Sequence, residues 1–398
     1  MHRRTLLRHG CTAALASLAL RARAAATRPL AFRTAALPDP DGHHAALRLK
    51  GDWLVVAISD GTHTGLGEIS HSNADAACAT RARELFDRHI AAASAKAAPN
   101  LSAIEARDRG AFATAPDIVA ATAISGLNQA LLDLVAQQRG VPAWRLFKPD
   151  GPPARTTLPC YFTMNRALRE RTEAAYLRVT EAALKLGARA VKCAPFEAVT
   201  RGGDHVAQAT AGFARLAAIR REFPHVALRV DCHERFTPAS MAALLPRFES
   251  LGLAWIEEPF PPGPALGELR TRTKIPLAIG ELFFGEPRFR ELLARGWTDV
   301  IMPDPKHVGG FGPLVRVCRM AEKLGGEVSP HNPSGPVAAA ASLQTAALSP
   351  AVTSLELILT SDPARQPCRE LLHDGTLRLP EGLGWGLPDS VRRALATP

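Results

Sequence analysis

Eight short apolar runs, each followed by a helical pattern, constrain the fold of this 398-residue chain more than any other feature. The first run begins at residue 158, the last ends at residue 361, and nearly all of them close in polar residues. Helical patterns separate the runs, for example over 173–187 and 312–326. Strands that alternate with helices of about 10 to 15 residues predict parallel βαβ units. We therefore predict an α/β fold with a (β/α)8 barrel over residues 151–362.

A doubly wound parallel sheet is the alternative architecture. It is disfavoured because no GxGxxG motif opens the first unit and because polar residues end nearly every strand. The predicted strands lie in LPCYFTMN (158–165), ARAVKCAPF (188–196), ALRVDCHERF (227–236), LAWIEEPF (253–260), IPLAIGELF (275–283), DVIMPDPK (299–306), GEVSPHNP (326–333) and TSLELILTS (353–361).

A different pattern precedes the barrel and predicts an α+β capping domain over residues 27–150. Residues 28–60 alternate as antiparallel strands do, with a hairpin over 47–61. Residues 75–147 have the periodicity of helices. The C-terminal segment 363–398 is rich in glycine and proline turns, and we expect it to pack back on the capping domain.

The N-terminal segment 1–26 accounts for half of the excess positive charge. It carries five arginines and no acid, so its removal lowers the formal net charge from +10 to +5. Arg3 and Arg4 resemble the start of a bacterial twin-arginine signal peptide, which predicts a periplasmic protein. An ordinary basic tail on a cytoplasmic protein is the alternative. The remaining charge is dispersed, so we expect no nucleic-acid partner, and no membrane association after cleavage of the leader.

The seven cysteines have no CxxC pairing and no spacing typical of a zinc site or of a disulfide framework. We interpret them as small apolar residues of the interior.

Three carboxylates end three consecutive predicted strands. Asp231, Glu257 and Glu281 would therefore be neighbours at the rim of a barrel where active sites are built. Three like charges so close together repel one another unless a hard cation lies between them. Ligands that are all oxygen atoms favour Mg²⁺ over zinc. The sequence thus predicts a magnesium site.

These residues lie within motifs that are similar to those of the enolase superfamily. The motifs are ISGLNQALLDL in the capping region and VKCAP, VDCH, WIEEP, IGE, PDPKHVGG and SPHNPSGP in the barrel. The chain most resembles the galactonate- and mannonate-type dehydratases of the mandelate racemase/muconate lactonizing enzyme branch. The resemblance implies that Asp231, Glu257 and Glu281 bind Mg²⁺, which stabilises an enediolate formed from the substrate carboxylate. It also implies a small-molecule sugar acid as partner and assembly as a homo-oligomer.

A second pair of strand ends carries candidate acid/base residues. Asp304 ends the sixth predicted strand and His331 the seventh, so a hydrogen-bonded Asp–His pair can form between them. The resemblance implies that this pair is the general base. It further implies that His233, in the Asp-x-His motif, protonates a departing hydroxyl group.

The second strand departs from the racemase pattern of Lys-x-Lys. It reads Lys192-Cys193-Ala194, so the second lysine is absent, which argues against proton transfer between two faces of a substrate. We expect Lys192 to stabilise the substrate electrostatically. The resemblance implies that Glu356 hydrogen-bonds the substrate carboxylate. Lys306 and His307 are further candidate residues of the site.

The sequence therefore predicts a Mg²⁺-dependent hydro-lyase that converts a sugar acid into a 2-keto-3-deoxy acid. An epimerase or cycloisomerase that uses the same enediolate is one alternative, and an exported sugar-acid binding protein without catalysis is another. Substrate choice is expected to depend on capping-domain loops near 37–46 and 66–75, whose residues match no known pattern.

Overall fold

The computed structural model describes residues 29–37, 52–362 and 366–396. The twin-arginine-type leader predicted at 1–26 lies outside the described residues. So do most of the predicted loop at 37–46 and the first five residues of the predicted hairpin 47–61.

The described capping region consists of a three-stranded antiparallel sheet and a group of helices. The strands follow the order β1-β2-β3 and are β1 (Ala31–Leu37), β2 (Trp53–Ser59) and β3 (Thr64–Glu68). The helices are α1 (Asp75–Phe86), α2 (Ala92–Ser94), α3 (Leu101–Arg109) and α4 (Ile118–Gln138).

Strand β3 corrects the expectation of a loop that begins at residue 66. Gly65 and Gly67 obscure the strand in the sequence, because glycine is depleted in strands. The structure requires both glycines, since a Cβ atom at either position would collide with a backbone carbonyl oxygen of α4. The strand thus packs directly on the helix backbone and carries Glu68 and the following residues towards the barrel.

Helix α4 is the central element of the capping region. The Asp117 side chain caps its N-terminus by accepting a hydrogen bond from Ala120 N. The helix is long and apolar enough to cross a membrane by length and composition, yet 89% of its most apolar window is buried inside the fold. Its apolar character is therefore that of a core helix.

Eight parallel strands form the barrel, and each of the eight predicted runs coincides with one of them, β4 beginning one residue before its run. The strands are β4 (Thr157–Thr163), β5 (Ala190–Cys193), β6 (Ala227–Asp231), β7 (Trp255–Glu257), β8 (Leu277–Ile279), β9 (Val300–Ile301), β10 (Glu327–Val328) and β11 (Leu355–Ile358). The helices are α5 (Glu173–Lys185), α6 (His205–Gln208), α7 (Thr210–Glu222), α8 (Pro238–Glu249), α9 (Pro264–Arg272), α10 (Pro287–Ala294), α11 (Phe311–Leu324) and α12 (Pro336–Gln344).

The barrel closes between its first and last strands. Neighbouring strands pair in parallel from β4 to β10, and β11 pairs in parallel with β4. Backbone hydrogen bonds from Val328 N to Ala351 O (2.9 Å) and from Thr353 N to Val328 O (3.0 Å) join β10 to the segment before β11. The predicted α/β barrel with an α+β cap is confirmed. The strands are shorter than the predicted runs because the polar end of each run lies in a loop.

The C-terminal segment contacts both the barrel and the cap. Its elements are β12 (Leu372–His373), β13 (Thr376–Arg378) and α13 (Asp389–Ala396), and β13 pairs antiparallel with β4. Trp385 N donates to Asp133 Oδ1 (2.8 Å), and Trp385 Nε1 donates to Leu66 O (2.7 Å). The segment therefore joins the two larger regions.

The cysteines of the described chain are buried, and none of them forms a disulfide. They pack in the interior as small apolar residues do.

Candidate active site

Three carboxylates converge at the carboxyl end of the barrel strands. Asp231 ends β6, Glu257 ends β7, and Glu281 lies two residues beyond β8. Asp231 and Glu257 are register partners in the parallel pairing of their strands. One oxygen from each of the three side chains lies within 4.8 Å of the others. The sequence spacing and the barrel geometry together produce this cluster, which we call the rim acids.

Electrostatics separates the rim acids into two kinds. Burial, together with the charge of Asp231, raises the pKa of Glu257 and of Glu281 well above its ordinary value. Burial also acts to raise the pKa of Asp231, but the charge and hydrogen bonds of His233 outweigh it and lower that pKa to about 2. The three carboxylates of the cluster therefore repel one another when they are ionised.

A hard divalent cation fits this donor set. All three donors are carboxylate oxygens, which are the ligands Mg²⁺ prefers. Glu281 Oε2 is buried and accepts no hydrogen bond within the described part of the chain, although it lies 3.1 Å from His331 Nε2. A bound cation would give that oxygen a partner and would neutralise the mutual repulsion of the three groups.

Lys192 lies beneath the rim acids and does not line the cavity above them. Its Nζ atom is 2.5 Å from Glu257 Oε1 and 2.9 Å from Glu356 Oε1, with all three side chains buried. These two carboxylates raise the pKa of Lys192 well above its ordinary value against the opposite effect of burial. Glu356 Oε2 accepts from Asn332 N (3.0 Å). Lys192 and Glu356, both predicted to meet the substrate, thus contact Glu257 and the loop after β10 instead.

Only one of the two adjacent glutamates of WIEEP joins the rim acids. Glu258 has a positive φ of 42°, and its Oε1 atom accepts from Gly280 N (2.6 Å). Burial raises its pKa to about 7. The alternation expected for consecutive strand residues therefore assigns Glu257 to the cluster.

Asp304 and His331 form a hydrogen-bonded pair next to the rim acids. His331 Nδ1 is 2.9 Å from Asp304 Oδ2, while His331 Nε2 faces Glu281. Burial acts to raise the pKa of Asp304, but Lys306, His307 and His331 lower it below its ordinary value. A charged Asp304 orients the imidazole and leaves Nε2 directed at the cavity.

His233 is held at the rim acids by a strained turn. His233 and Glu234 have φ angles of 48° and 54°, a left-handed conformation that is uncommon for residues other than glycine. The turn brings His233 N within 2.9 Å of Asp231 Oδ1, and His233 Nε2 within 2.8 Å of Asp231 Oδ2. The imidazole remains 44% exposed, so it is accessible from the cavity. Strain of this kind is typical of functional sites.

Lys306 and His307 connect the Asp304–His331 pair to the capping region. Lys306 Nζ donates to Ser70 O (3.3 Å) and lies 3.8 Å from Asp304 Oδ2. His307 Nδ1 is 3.0 Å from Thr122 Oγ1, and burial lowers the pKa of His307 to about 3. The two residues therefore link the capping region to the barrel at the site.

A cavity of about 900 Å³ lies at the carboxyl end of the barrel, where two of the rim acids line it. Its lining includes the predicted residues Asp231, His233, Glu281, Lys306, His307 and His331. Ser70 and His71 of the predicted segment 66–75 also line it, and the lining residues that sequence reasoning missed include Trp53, Asn165, Arg166, Arg171 and Arg235. The only signal for Arg235 was its place two residues after His233. Trp53 begins β2, and Asn165, Arg166 and Arg171 lie in the loop after β4, whose position depends on the fold.

Residues 175–388 match the family described as Enolase C-terminal domain-like. The match covers more than half of the chain. The chain belongs to the enolase superfamily. The predicted resemblance to its mandelate racemase/muconate lactonizing enzyme branch is confirmed.

Curated relatives of this superfamily member are D-galactonate dehydratases. The protein from Verminephrobacter eiseniae (strain EF01-2) is 30% identical over 233 residues, which covers 56% of this chain and 57% of the relative. The protein from Ralstonia pickettii (strain 12J) is 28% identical over 232 residues, with the same coverage. The chain thus matches only a little over half the length of these relatives.

Solved structures extend the similarity across the whole described fold. The mandelate racemase/muconate lactonizing enzyme-like protein from Rubrobacter xylanophilus DSM 9941 has a TM-score of 0.77 and 26% identity. That comparison covers 93% of this chain and 98% of the other. A protein described as a mandelate racemase/muconate lactonizing enzyme from Labrenzia alexandrii DFL-11 gives the same TM-score at 25% identity and the same coverage.

Proposed function

We propose that this protein is a Mg²⁺-dependent dehydratase of a sugar acid. The observation that carries the proposal is the placement of two histidines, His331 and His233, beside three carboxylates whose oxygens lie within 4.8 Å of one another. The similarity to D-galactonate dehydratases supports the same reaction class.

Asp231, Glu257 and Glu281 would hold the cation. A bound Mg²⁺ would neutralise the substrate carboxylate and the charge that develops when the neighbouring carbon loses a proton. Lys192 positions Glu257 from below, because its ammonium group lies between Glu257 and Glu356. Burial raises the pKa of Glu257, and the charge of Lys192 acts in the opposite direction, in favour of the carboxylate.

His331 is the general base of the proposed reaction. Its Nδ1 atom is engaged by Asp304, so Nε2, on the side of Glu281 and the cavity, is the atom that would take the proton from the carbon next to the substrate carboxylate. Asp304 remains charged and stabilises the imidazolium that forms. Proton transfer to a positioned general base contributes on the order of 10²–10⁴-fold to the rate.

His233 is the general acid. It donates a proton to the hydroxyl group on the next carbon, the C–O bond breaks, and water leaves. The enol that remains tautomerises to a 2-keto-3-deoxy acid. His233 suits this role because Asp231 holds its ring while nearly half of the side chain stays exposed to the cavity.

The face of the cavity near β5 favours elimination over racemisation. Ala194 lines the cavity at the position where a Lys-x-Lys motif would supply a second base. The one lysine of this strand, Lys192, is committed to two buried carboxylates.

The test is incubation of the protein with Mg²⁺ and a panel of aldonic and aldaric acids, with detection of 2-keto acid. We expect one or more acids to give product, and no product with EDTA or with the His331→Asn variant. Exchange of the α-hydrogen with solvent deuterium, without keto acid, would instead indicate an isomerase. No product and no exchange from any acid, with the metal bound, would contradict the proposal.

A further inference from the structure

One wall of the cavity carries three arginines that the proposed reaction does not use. Arg166 and Arg171 follow strand β4, and Arg235 follows strand β6 beyond His233. The base His331 lies in the loop after β10, on a different part of the rim. The arginines therefore mark a region of the cavity separate from the Asp304–His331 pair.

Two of these guanidinium groups donate to uncharged atoms. Arg171 NH1 donates to the phenolic oxygen of Tyr176 (3.1 Å), and Arg235 NH1 donates to the backbone oxygen of Val199 (3.0 Å). Neither arginine forms an ion pair with a carboxylate anywhere in residues 29–37, 52–362 and 366–396. Both groups are partly buried, so each retains unused donors that face the cavity.

Glu197, an acid that lines the same cavity, already has a partner. Its Oε1 atom lies 2.5 Å from Arg215 NH1. Arg215 also donates to Pro195 O (2.9 Å), which fixes the pair. The positive charge of Arg171 and Arg235 is therefore left for a ligand.

We propose that the substrate is a sugar acid with a second anionic group at the end remote from the metal-bound carboxylate. This inference rests on the proposed function, because the rim acids and their cation take the first carboxylate. The guanidinium groups of Arg171 and Arg235 would bind the second. Arginine presents a planar set of donors that matches both carboxylate and phosphate groups. An aldarate or a phosphorylated aldonate therefore fits, whereas a plain aldonate gives these arginines no anionic group to bind.

The experiment compares acids of matched configuration in binding to the Mg²⁺-loaded protein. Isothermal titration calorimetry is run with gluconate, glucarate and 6-phosphogluconate, and with galactonate and galactarate. We expect a doubly anionic acid to bind about 10- to 100-fold more tightly than the aldonate of the same configuration. The tighter of glucarate and 6-phosphogluconate identifies the second group as carboxylate or phosphate.

Variants of the wall locate the preference. Arg235→Met and Arg171→Met should each reduce the ratio of doubly anionic to aldonate affinity by about tenfold, while Arg235→Lys retains part of it. Arg81→Met is the matched control, since Arg81 is an exposed residue of α1 paired with Glu84. Thermal melts identify any variant that fails to fold, and the ratio is then taken from the other variant.

The binding readout keeps this inference separate from the reaction. If no acid yields keto acid but a doubly anionic acid binds selectively through Arg235, the proposed dehydration is contradicted. The proposed binding of a second anionic group is then still supported. If every aldonate binds as tightly as its doubly anionic counterpart, or if no doubly anionic acid binds, the inference is overturned. The inference would also be overturned if Arg235→Met and Arg171→Met reduced the affinity for aldonates as much as the affinity for doubly anionic acids.

Discussion

The capping region and the barrel rim both bury carboxylates, but they surround them in opposite ways. Glu68 and Asp133 in the cap accept hydrogen bonds from backbone N–H groups on both of their oxygens. On the rim, Glu281 Oε2 accepts no hydrogen bond from the described residues, and the side chain faces two other acids and His331. A buried acid with a full set of donors holds elements together, whereas one without them is available for a ligand.

The cap acids, Glu68 and Asp133, each connect separate regions of the fold by hydrogen bonds. Glu68 accepts from Gly335 N (2.8 Å) and Ala338 N (3.1 Å), at the N-terminus of α12. The partial positive charge of a helix N-terminus favours an acid there. Asp133 accepts from Leu66 N (3.0 Å) and Trp385 N (2.8 Å), which joins strand β3 to the C-terminal segment.

The largest effect is expected from removing one charge from the rim. Glu281→Gln should lower kcat/KM for the sugar acid by at least about 10⁴-fold, because cation binding supplies several kcal/mol of charge stabilisation. Steady-state kinetics across a range of Mg²⁺ concentrations measures this loss. Activity that excess Mg²⁺ restores fully would show that Glu281 is dispensable, and Glu84→Gln, an exposed acid of α1, should retain wild-type kinetics.

Substitutions of the two histidines should affect different steps of the reaction. We expect His331→Asn and His233→Asn each to lower product formation by about 10²–10⁴-fold. Only His331→Asn should also stop exchange of the α-hydrogen in deuterium oxide, because His233 acts on the hydroxyl group. Nuclear magnetic resonance of the recovered acid measures the exchange, and loss of exchange in both variants would contradict the assigned roles.

Substitution of a cap acid should lower the stability of the fold, whereas substitution at the rim lowers activity. Asp133→Asn places an amide N–H₂ against Leu66 N–H or Trp385 N–H whichever way it is oriented. We expect the free energy of unfolding to fall by about 3 kcal/mol, as measured by urea denaturation. Glu84→Gln should change it by less than about 0.5 kcal/mol. An unchanged midpoint for Asp133→Asn would remove the distinction between cap and rim acids.

A smaller effect concerns pH and the contact between cap and barrel at His307. Burial lowers its pKa to about 3, whereas an unfolded histidine titrates near 6.5. Between these values the unfolded state binds more protons, so stability falls as the pH falls, by about 2 kcal/mol at pH 5. His307→Asn can keep the bond to Thr122 and should flatten this part of the stability curve. An identical slope in the variant would contradict the effect.

The sequence indicates the rim more completely than the rest of the molecule. The rim acids and the Asp304–His331 pair each lie at or just beyond a strand end, and a barrel brings such ends together by rule. The buried contact of Lys192 with Glu356 depends on how β5 and β11 face each other across the barrel interior. No local pattern encodes that contact.

The cap resists prediction for a similar reason. Strand β3 is recognisable only once α4 is known to press against Gly65 and Gly67. The arginine wall likewise comes from loops that follow separate strands, and each arginine looks like an ordinary surface residue in the sequence.

Above all, we propose that the rim acids bind a divalent cation. The direct measurement is the melting temperature of the wild-type protein and of Glu281→Gln, each with EDTA and with saturating Mg²⁺. We predict that Mg²⁺ raises the melting temperature of the wild type and not of the variant. With EDTA, the variant should be at least as stable as the wild type, because one of the repelling charges is gone. A destabilised variant with an unchanged response to Mg²⁺ would show that Glu281 is a structural residue and would contradict the account.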